Sequence, residues 1–280
     1  MTESAGGPPS AVPGLFAGDA GAMAAYYDTY LVPGLFRPWA TELVARLPLE
    51  PADAVLDVAC GTGALSAALA ARLGDGGRVL GVDLAPGMVL LAERKGIPRT
   101  RFRVGDALAL PVGDGEFDGV TCQQGVQFMP DRTAAVREMR RALRDGGWVA
   151  IACWTRIDEQ VPMVAFHSAL TRRGWTAAAD ALLVPFSLSA PDELRELLSR
   201  NGFSDVSVET VTRAVQLPAA REFAHGYAQV PPFRTAYLAA TEEEREAFAD
   251  DVVASLEAFA TPGGVSAPMT SLVAVARTSQ

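Results

Sequence analysis

The sequence predicts an α/β fold: a mostly parallel seven-stranded sheet with helices on both faces and a helical cap built from insertions. Three observations carry this expectation. Short apolar runs alternate with amphipathic segments from Ala54 to Trp154, as expected of parallel strands covered on both faces. The first apolar run, Val55–Cys60, breaks into Gly61-Thr62-Gly63 and then a helix-forming stretch. That is a strand, a tight turn and a helix start, with no side chain on either glycine to block a ligand. The alternation then fails twice, in two longer helical stretches rich in aromatic residues.

The elements follow in order. Residues 1–18 are rich in Gly, Pro, Ala and Ser and read as a disordered tail. Residues 19–50 form an aromatic helical lead-in, interrupted by Pro33-Gly34. The core, 51–154, carries strands at Val55–Cys60, Arg78–Asp83, Arg101–Asp106, Asp118–Gln123 and Trp148–Trp154. Between them lie helices at Ala64–Leu73, Pro86–Lys95 and Thr133–Leu143, the second opening on a proline suited to a first helical turn. Residues 155–189 are a first cap insertion. The core resumes over 190–216, with a helix at Pro191–Asn201 stopped by Gly202 and a strand at Val206–Val215. Residues 217–264 are a second cap insertion, and 265–280 hold the final strand, Ser271–Arg277.

Composition narrows the partners. The chain has 280 residues, 49% hydrophobic, with 24 basic against 33 acidic side chains and a net charge of −9. An acidic surface repels phosphate backbones, which argues against nucleic acid. Five arginines between Arg132 and Arg144 share a helix with interleaved apolar residues and read as a solvated face. Cys60, Cys122 and Cys153 have no zinc or redox spacing, so no metal is expected, and they read as small buried residues in a reducing compartment. No segment approaches the ~20 apolar residues of a membrane span, and the start lacks a signal peptide, so a cytoplasmic location is expected.

Which ligand the glycine turn takes depends on the acids. Gly61 and Gly63 supply half of a dinucleotide fingerprint, but Ser66 stands at the third glycine position, and there is no phosphate-loop lysine. Asp57, inside the first strand, would repel a pyrophosphate; it would welcome a ligand bearing an ammonium and a sulfonium. S-adenosylmethionine has both and no phosphate. Asp83 ends the second strand, where a carboxylate accepts from ribose hydroxyls. Asp106 ends the third and can accept from an adenine amino group. Any one such aspartate serves equally as a helix cap or turn residue. Three at the carboxyl ends of successive strands fall on the edge where open parallel sheets bind ligands.

These residues resemble the class I SAM-dependent methyltransferases, a Rossmann-like family, and most of all the small-molecule branch with quinone and natural-product enzymes. The likeness runs from about Tyr26 to Asn201. It implies that Asp57, Ala59 (in place of the usual glycine), Gly61 and Gly63 form the SAM motif. It further implies cofactor contacts from Tyr27, Asp83, Leu84, Met88, Gly105, Asp106, Ala107, Gln123 and Gln124, the last two beside the methionine group. The motif for amino methylation of DNA bases or protein glutamine is absent.

Methyl transfer needs alignment and a dry cavity more than acid or base groups. If a general base is used, His225 and His167, one in each insertion, are the candidates, with His225 preferred; Gln127 is a polar candidate facing the acceptor. Each has an ordinary structural alternative on a helix. The expected function is transfer of a methyl group to an O, N or C atom of a hydrophobic small molecule such as a secondary metabolite. Two other readings stay open: C-methylation coupled to cyclisation or rearrangement, and a non-catalytic SAM-binding module. Oligomeric state and acceptor are not encoded in any motif.

Overall fold

The computed structural model describes residues 24–279, so the expected tail at 1–18 lies outside the described residues. Helix α1 (Tyr27–Phe36) is a wide, π-type helix containing Pro33, and it runs directly into α2 (Arg37–Val44). Then come β1 (Ala54–Val58), α3 (Ala64–Ala70), β2 (Arg78–Asp83), α4 (Pro86–Arg94), β3 (Thr100–Val104) and β4 (Phe117–Gln123). A 3-10 turn at Val126–Phe128 precedes α5 (Arg132–Ala142) and β5 (Leu143–Trp154). The first insertion supplies α6 (Val161–Arg172) and α7 (Thr176–Ala181); α8 (Pro191–Ser199) and β6 (Phe203–Leu217) follow. The second supplies α9 (Ala220–Tyr227), α10 (Arg234–Ala239) and α11 (Glu242–Leu256), and the chain closes with β7 (Ala260–Thr261) and β8 (Gly264–Thr278).

The sheet order is β3-β2-β1-β4-β5-β8-β6, with β7 appended to β8. Strands β1 to β5 are mutually parallel, and β8 runs antiparallel to both its neighbours. The order reverses between β1 and β4, which opens a crevice at their carboxyl ends. Alternation along β1 divides its side chains. Leu56 and Val58 join one buried layer with Val120, Ile151 and Met139; Val55 joins the opposite layer with Leu69, Trp148 and Ala150. Asp57 shares the face of Val55, toward α3.

The expected mostly parallel α/β sheet is present, with eight strands where seven were expected. The additional strand is the two-residue β7. The third strand stops at Val104, so Asp106 lies beyond it, in a turn bridged to Ala109. The last strand begins at Gly264, seven residues before the expected Ser271. Pro268 hid this half, because proline is excluded from strands hydrogen-bonded on both sides. At Pro268, β8 pairs only with Ala214 of β6, since its ladder with β5 ends at Ser271. All three cysteines are free and buried.

Helix ends follow local rules. Asp131 caps α5 by accepting from the Ala134 amide at 2.8 Å. Thr241 and Glu244 form a reciprocal capping box at the start of α11. The expected arginine face on α5 is pinned to neighbours: Arg141 to Glu138 and Asp114, Arg137 to Asn201, Arg132 to Ser187. The aromatic residues of both insertions converge on Phe166, which is fully buried among Phe223, Tyr227, Phe233 and Phe248 at centroid distances of 4.9–6.0 Å. This stripe is therefore a packed core shared by the two segments.

Candidate functional site

The site grows from the turn after β1. Ala59, Gly61 and Gly63 have φ of +57°, +54° and +83°. Glycine adopts this left-handed region freely, whereas Ala59 does so under strain of ~1 kcal/mol. The turn leaves room for little else: a β-carbon on Gly63 would sit 3.0 Å from the Phe102 ring. Asp83, at the end of β2, braces it. Its Oδ2 accepts from the Gly61 amide at 2.8 Å and its Oδ1 from the Ala85 amide at 2.9 Å. Burial raises its pKa, while these two amides pull the other way.

Asp57 is 1% exposed. Its carboxylate accepts from the Ser66 hydroxyl at 2.6 Å and the Thr121 hydroxyl at 3.1 Å. Burial pushes its pKa up to about 7, against the lowering effect of those hydrogen bonds. Ser66, which replaces the third glycine of a dinucleotide fingerprint, is thus the residue that holds Asp57.

Tyr27, Phe36, Asp57, Ala59, Cys60 and Gln123 enclose a cavity of about 20 Å³, room for one water. Tyr27 and Phe36 stack at 4.9 Å and roof it. Gln123 donates its Nε2 to the Phe36 carbonyl at 3.0 Å, leaving its Oε1 buried without a partner among the described residues. Helix α1 is latched to the glycine turn from outside. Asp28 accepts from the Thr62 hydroxyl at 2.6 Å and pairs with Lys95, whose Nζ also donates to the Thr62 carbonyl at 2.7 Å. Asp28, Thr62, Ser66 and Lys95 were absent from the sequence-derived site. Only Ser66 had a visible signal there, as the missing third glycine.

The remaining expected residues divide. Leu84 is 68% exposed beside Asp83, and Asp106 is exposed with its Oδ1 accepting from the Leu108 amide at 2.9 Å. The neighbouring Gly105 and Ala107 are half-buried. Met88 is buried on the first turn of α4, unlike Leu84. Gln124 turns away from Gln123: its Nε2 donates to Ser271 at 3.1 Å and its Oε1 accepts from Gln127 at 3.4 Å. Adjacent residues at a strand end point to opposite sides, so of the two glutamines only Gln123 meets the cavity. Gln127 is buried in this second network, with its Oε1 unpaired among the described residues.

The two histidines lie outside the residues that enclose the cavity. His225 Nδ1 lies 2.9 Å from the Tyr237 hydroxyl and Nε2 3.3 Å from Glu246 Oε1, so it ties α9 to α10 and α11. Both ring nitrogens are thus engaged by these neighbours. His167, in mid-α6, is half-buried and likewise is not among the residues around the cavity. His225→Ala is expected to lower stability by ~1 kcal/mol, the worth of its hydrogen bonds, with turnover unchanged. Thermal unfolding and initial rates on one preparation check both halves.

Comparisons with known proteins agree with this fold. Residues 56–151 match the family model described as a methyltransferase domain. The demethylmenaquinone methyltransferase of Alkalihalophilus pseudofirmus is 34% identical over 117 residues, covering 40% of this chain and 50% of its own. The 2-phytyl-1,4-naphtoquinone methyltransferase of Thermosynechococcus vestitus is 38% identical over 120 residues, 42% of this chain and 53% of its own. The chain thus spans about half the length of these curated relatives. Among solved structures, phosphoethanolamine N-methyltransferase 2 of Haemonchus contortus, in complex with phosphomonomethylethanolamine and S-adenosylhomocysteine, superposes with a TM-score of 0.62. Its sequence identity is 17%, over 95% of this chain and 59% of that one, a likeness of fold.

Proposed function

We propose that this chain, whose residues 56–151 are a methyltransferase domain, is an S-adenosylmethionine-dependent enzyme that methylates a hydrophobic small molecule with a quinol-like ring. One observation carries the cofactor. The cavity under Tyr27 and Phe36 presents two acceptors, the Asp57 carboxylate and the unpaired Gln123 Oε1, beside two aromatic faces. That set suits a cation with N–H donors and repels an anion, so it fits the methionine end of this cofactor and opposes a pyrophosphate. On this reading Asp83 would accept from the ribose hydroxyls, with Leu84 and Asp106 beside the base. The quinol-like ring is suggested by the names of the relatives.

When bound, the cofactor supplies an activated methyl group on a sulfonium. The chain's residues would align it and exclude water: Asp57 and Gln123 would hold the ammonium end, Asp83 the ribose, and Tyr27 and Phe36 would close over them. The segments 155–189 and 217–264 are read as a cap over this edge. A coupled rearrangement would call for aromatic faces open to a cation, whereas the cap rings pack on one another. The net charge of −9 supports a partner set without nucleic acid. Among the described residues no helix is long and apolar enough to cross a membrane. A cytoplasmic location belongs to the same reading.

The test is calorimetry with S-adenosylmethionine, followed by transfer from methyl-labelled cofactor to reduced 1,4-naphthoquinone and related phenols. Binding with label in product is expected. Failure to bind the cofactor, or preference for NAD, would overturn the assignment; binding without transfer to any acceptor would favour the non-catalytic module.

A further inference from the structure

The Asp57 carboxylate is held on both oxygens by hydroxyls that are not themselves part of the cavity wall. Ser66, on α3, donates to Oδ2 at 2.6 Å, and Thr121, on β4, donates to Oδ1 at 3.1 Å. Both donors are fully buried, and neither encloses the cavity, whereas Asp57 does. Each is fixed by a different element. Thr121 is the register partner of Asp57 across the β1–β4 ladder, so the sheet itself sets that donor. Ser66 lies in the first turn of α3, directly after the left-handed Gly63. A carboxylate offers about four acceptor sites. The two hydroxyls, with the Ser66 amide acting on the same group, leave acceptor capacity for a donor in the cavity.

Stitching α3 and β4 to β1 does not require an acid. The layer on this side of the sheet is apolar, with Val55, Leu65, Leu69 and Ala150 buried. Apolar residues of similar volume would hold such a layer together as well or better, because a buried carboxylate loses its hydration. Hydroxyl bonds offset that loss most when the carboxylate is charged. The trio therefore favours negative charge at one point of the cavity wall. Other ionisable groups around Asp57 do not supply it. Cys60 in the turn, Cys122 on β4 and Tyr27 on α1 are all pushed up by burial and stay neutral at pH 7. Asp83, acting from β2, raises Asp57 and is itself engaged by the Gly61 and Ala85 amides.

Resting on the S-adenosylmethionine reading, we propose that Ser66 and Thr121 are positioning residues for the cofactor's ammonium group. Their hydroxyls fix the Asp57 carboxylate in one orientation and stabilise its charged form, so that the glycine turn receives a cation. Ser66 stands where a dinucleotide fingerprint has glycine, and a glycine there would supply no hydroxyl. The residue that departs from that fingerprint is thus the one that equips the turn for the opposite charge. Burial already raises Asp57 to about 7 against the lowering effect of these hydroxyls. Removing either one lets the carboxyl keep its proton to higher pH, and binding of a cation must then displace that proton.

Calorimetric titration with S-adenosylhomocysteine, which carries the ammonium group but no methyl to transfer, tests this at pH 6 and pH 8.5. Ser66→Ala is expected to bind about tenfold more weakly than wild type at pH 6 and within about threefold of it at pH 8.5, as the ionisation midpoint moves up by about one pH unit. Thr121→Val, which loses the longer bond, should show a smaller loss of the same pattern. Thr121→Ser restores the hydroxyl and should bind like wild type at both values. In an Asp57→Asn background Ser66→Ala should change affinity by less than about twofold, since no charge is left to hold. A loss equal at both pH values, or one that persists in the Asp57→Asn background, would mark a merely structural role and overturn the proposal. So would wild-type affinity in both hydroxyl-deleted variants at pH 6. A wild-type chain that binds no S-adenosylhomocysteine at either pH overturns the functional reading itself.

Discussion

Asp83→Ala should lower S-adenosylmethionine affinity by about 100-fold or more, since two hydrogen bonds to a charged acceptor are worth ~3 kcal/mol or more together. The loss has two sources. The proposed ribose contact disappears. The glycine turn also loses its brace, because the Gly61 and Ala85 amides, held at 2.8 and 2.9 Å, are left without their acceptor. Gly61 holds a φ of +54°, so its geometry depends on such external bonds. Asp83→Asn separates the two sources: it retains one acceptor oxygen but sets an amide group against a backbone N–H. An intermediate loss is expected. Calorimetric titration of both variants measures this, and a dissociation constant for Asp83→Ala within about threefold of wild type would remove Asp83 from the site.

Cofactor affinity should also depend on pH through Asp57. With its pKa raised by burial to about 7, Asp57 is partly protonated at neutrality in the free protein. A cation stabilises the carboxylate form, so binding releases a proton near this pH. The sign follows from linkage. Above about 7 the carboxylate is already ionised and affinity is flat. Below it, ionisation must accompany binding, and affinity falls as the pH drops, by about tenfold per unit at the limit. Asp57→Asn should bind weakly at pH 8 and lose the slope. Titrations from pH 5.5 to 8.5 in buffers of different ionisation enthalpy would detect the proton directly. A wild-type affinity independent of pH would show that Asp57 does not face the cation.

Much of the site was legible because it depends on chemistry tied to short segments. Asp57, Gly61, Gly63 and Asp83 lie at the ends of strands whose apolar pattern is unambiguous, and strand ends at the crossover of a parallel sheet share one edge. Gln123 was legible for the same reason, as the last residue of β4. Gln124 was not. One step along the backbone, with φ at +54°, it turned to Ser271 on β8, a strand 147 residues away. Nor was the latch of Asp28 on Thr62 and Lys95, which joins three segments that nothing in the sequence links. Asp106 was placed at a strand end, but β3 stops at Val104 and leaves it in an exposed turn.

The histidines show the same division. The sequence had only two, and chemistry ranked them ahead of other cap residues. Packing engages both nitrogens of His225 with Tyr237 and Glu246. By itself the sequence determined the alternation of strands and helices, the glycine turn and the acids around it. Those follow from local backbone preference and from a two-residue period that places side chains on known faces. The tertiary structure alone decided which cap side chains face inward, how α1 closes the cavity, and how far burial raises Asp57. Each of these depends on distances between segments remote in the chain, and the strength of charges and hydrogen bonds is set by that packing.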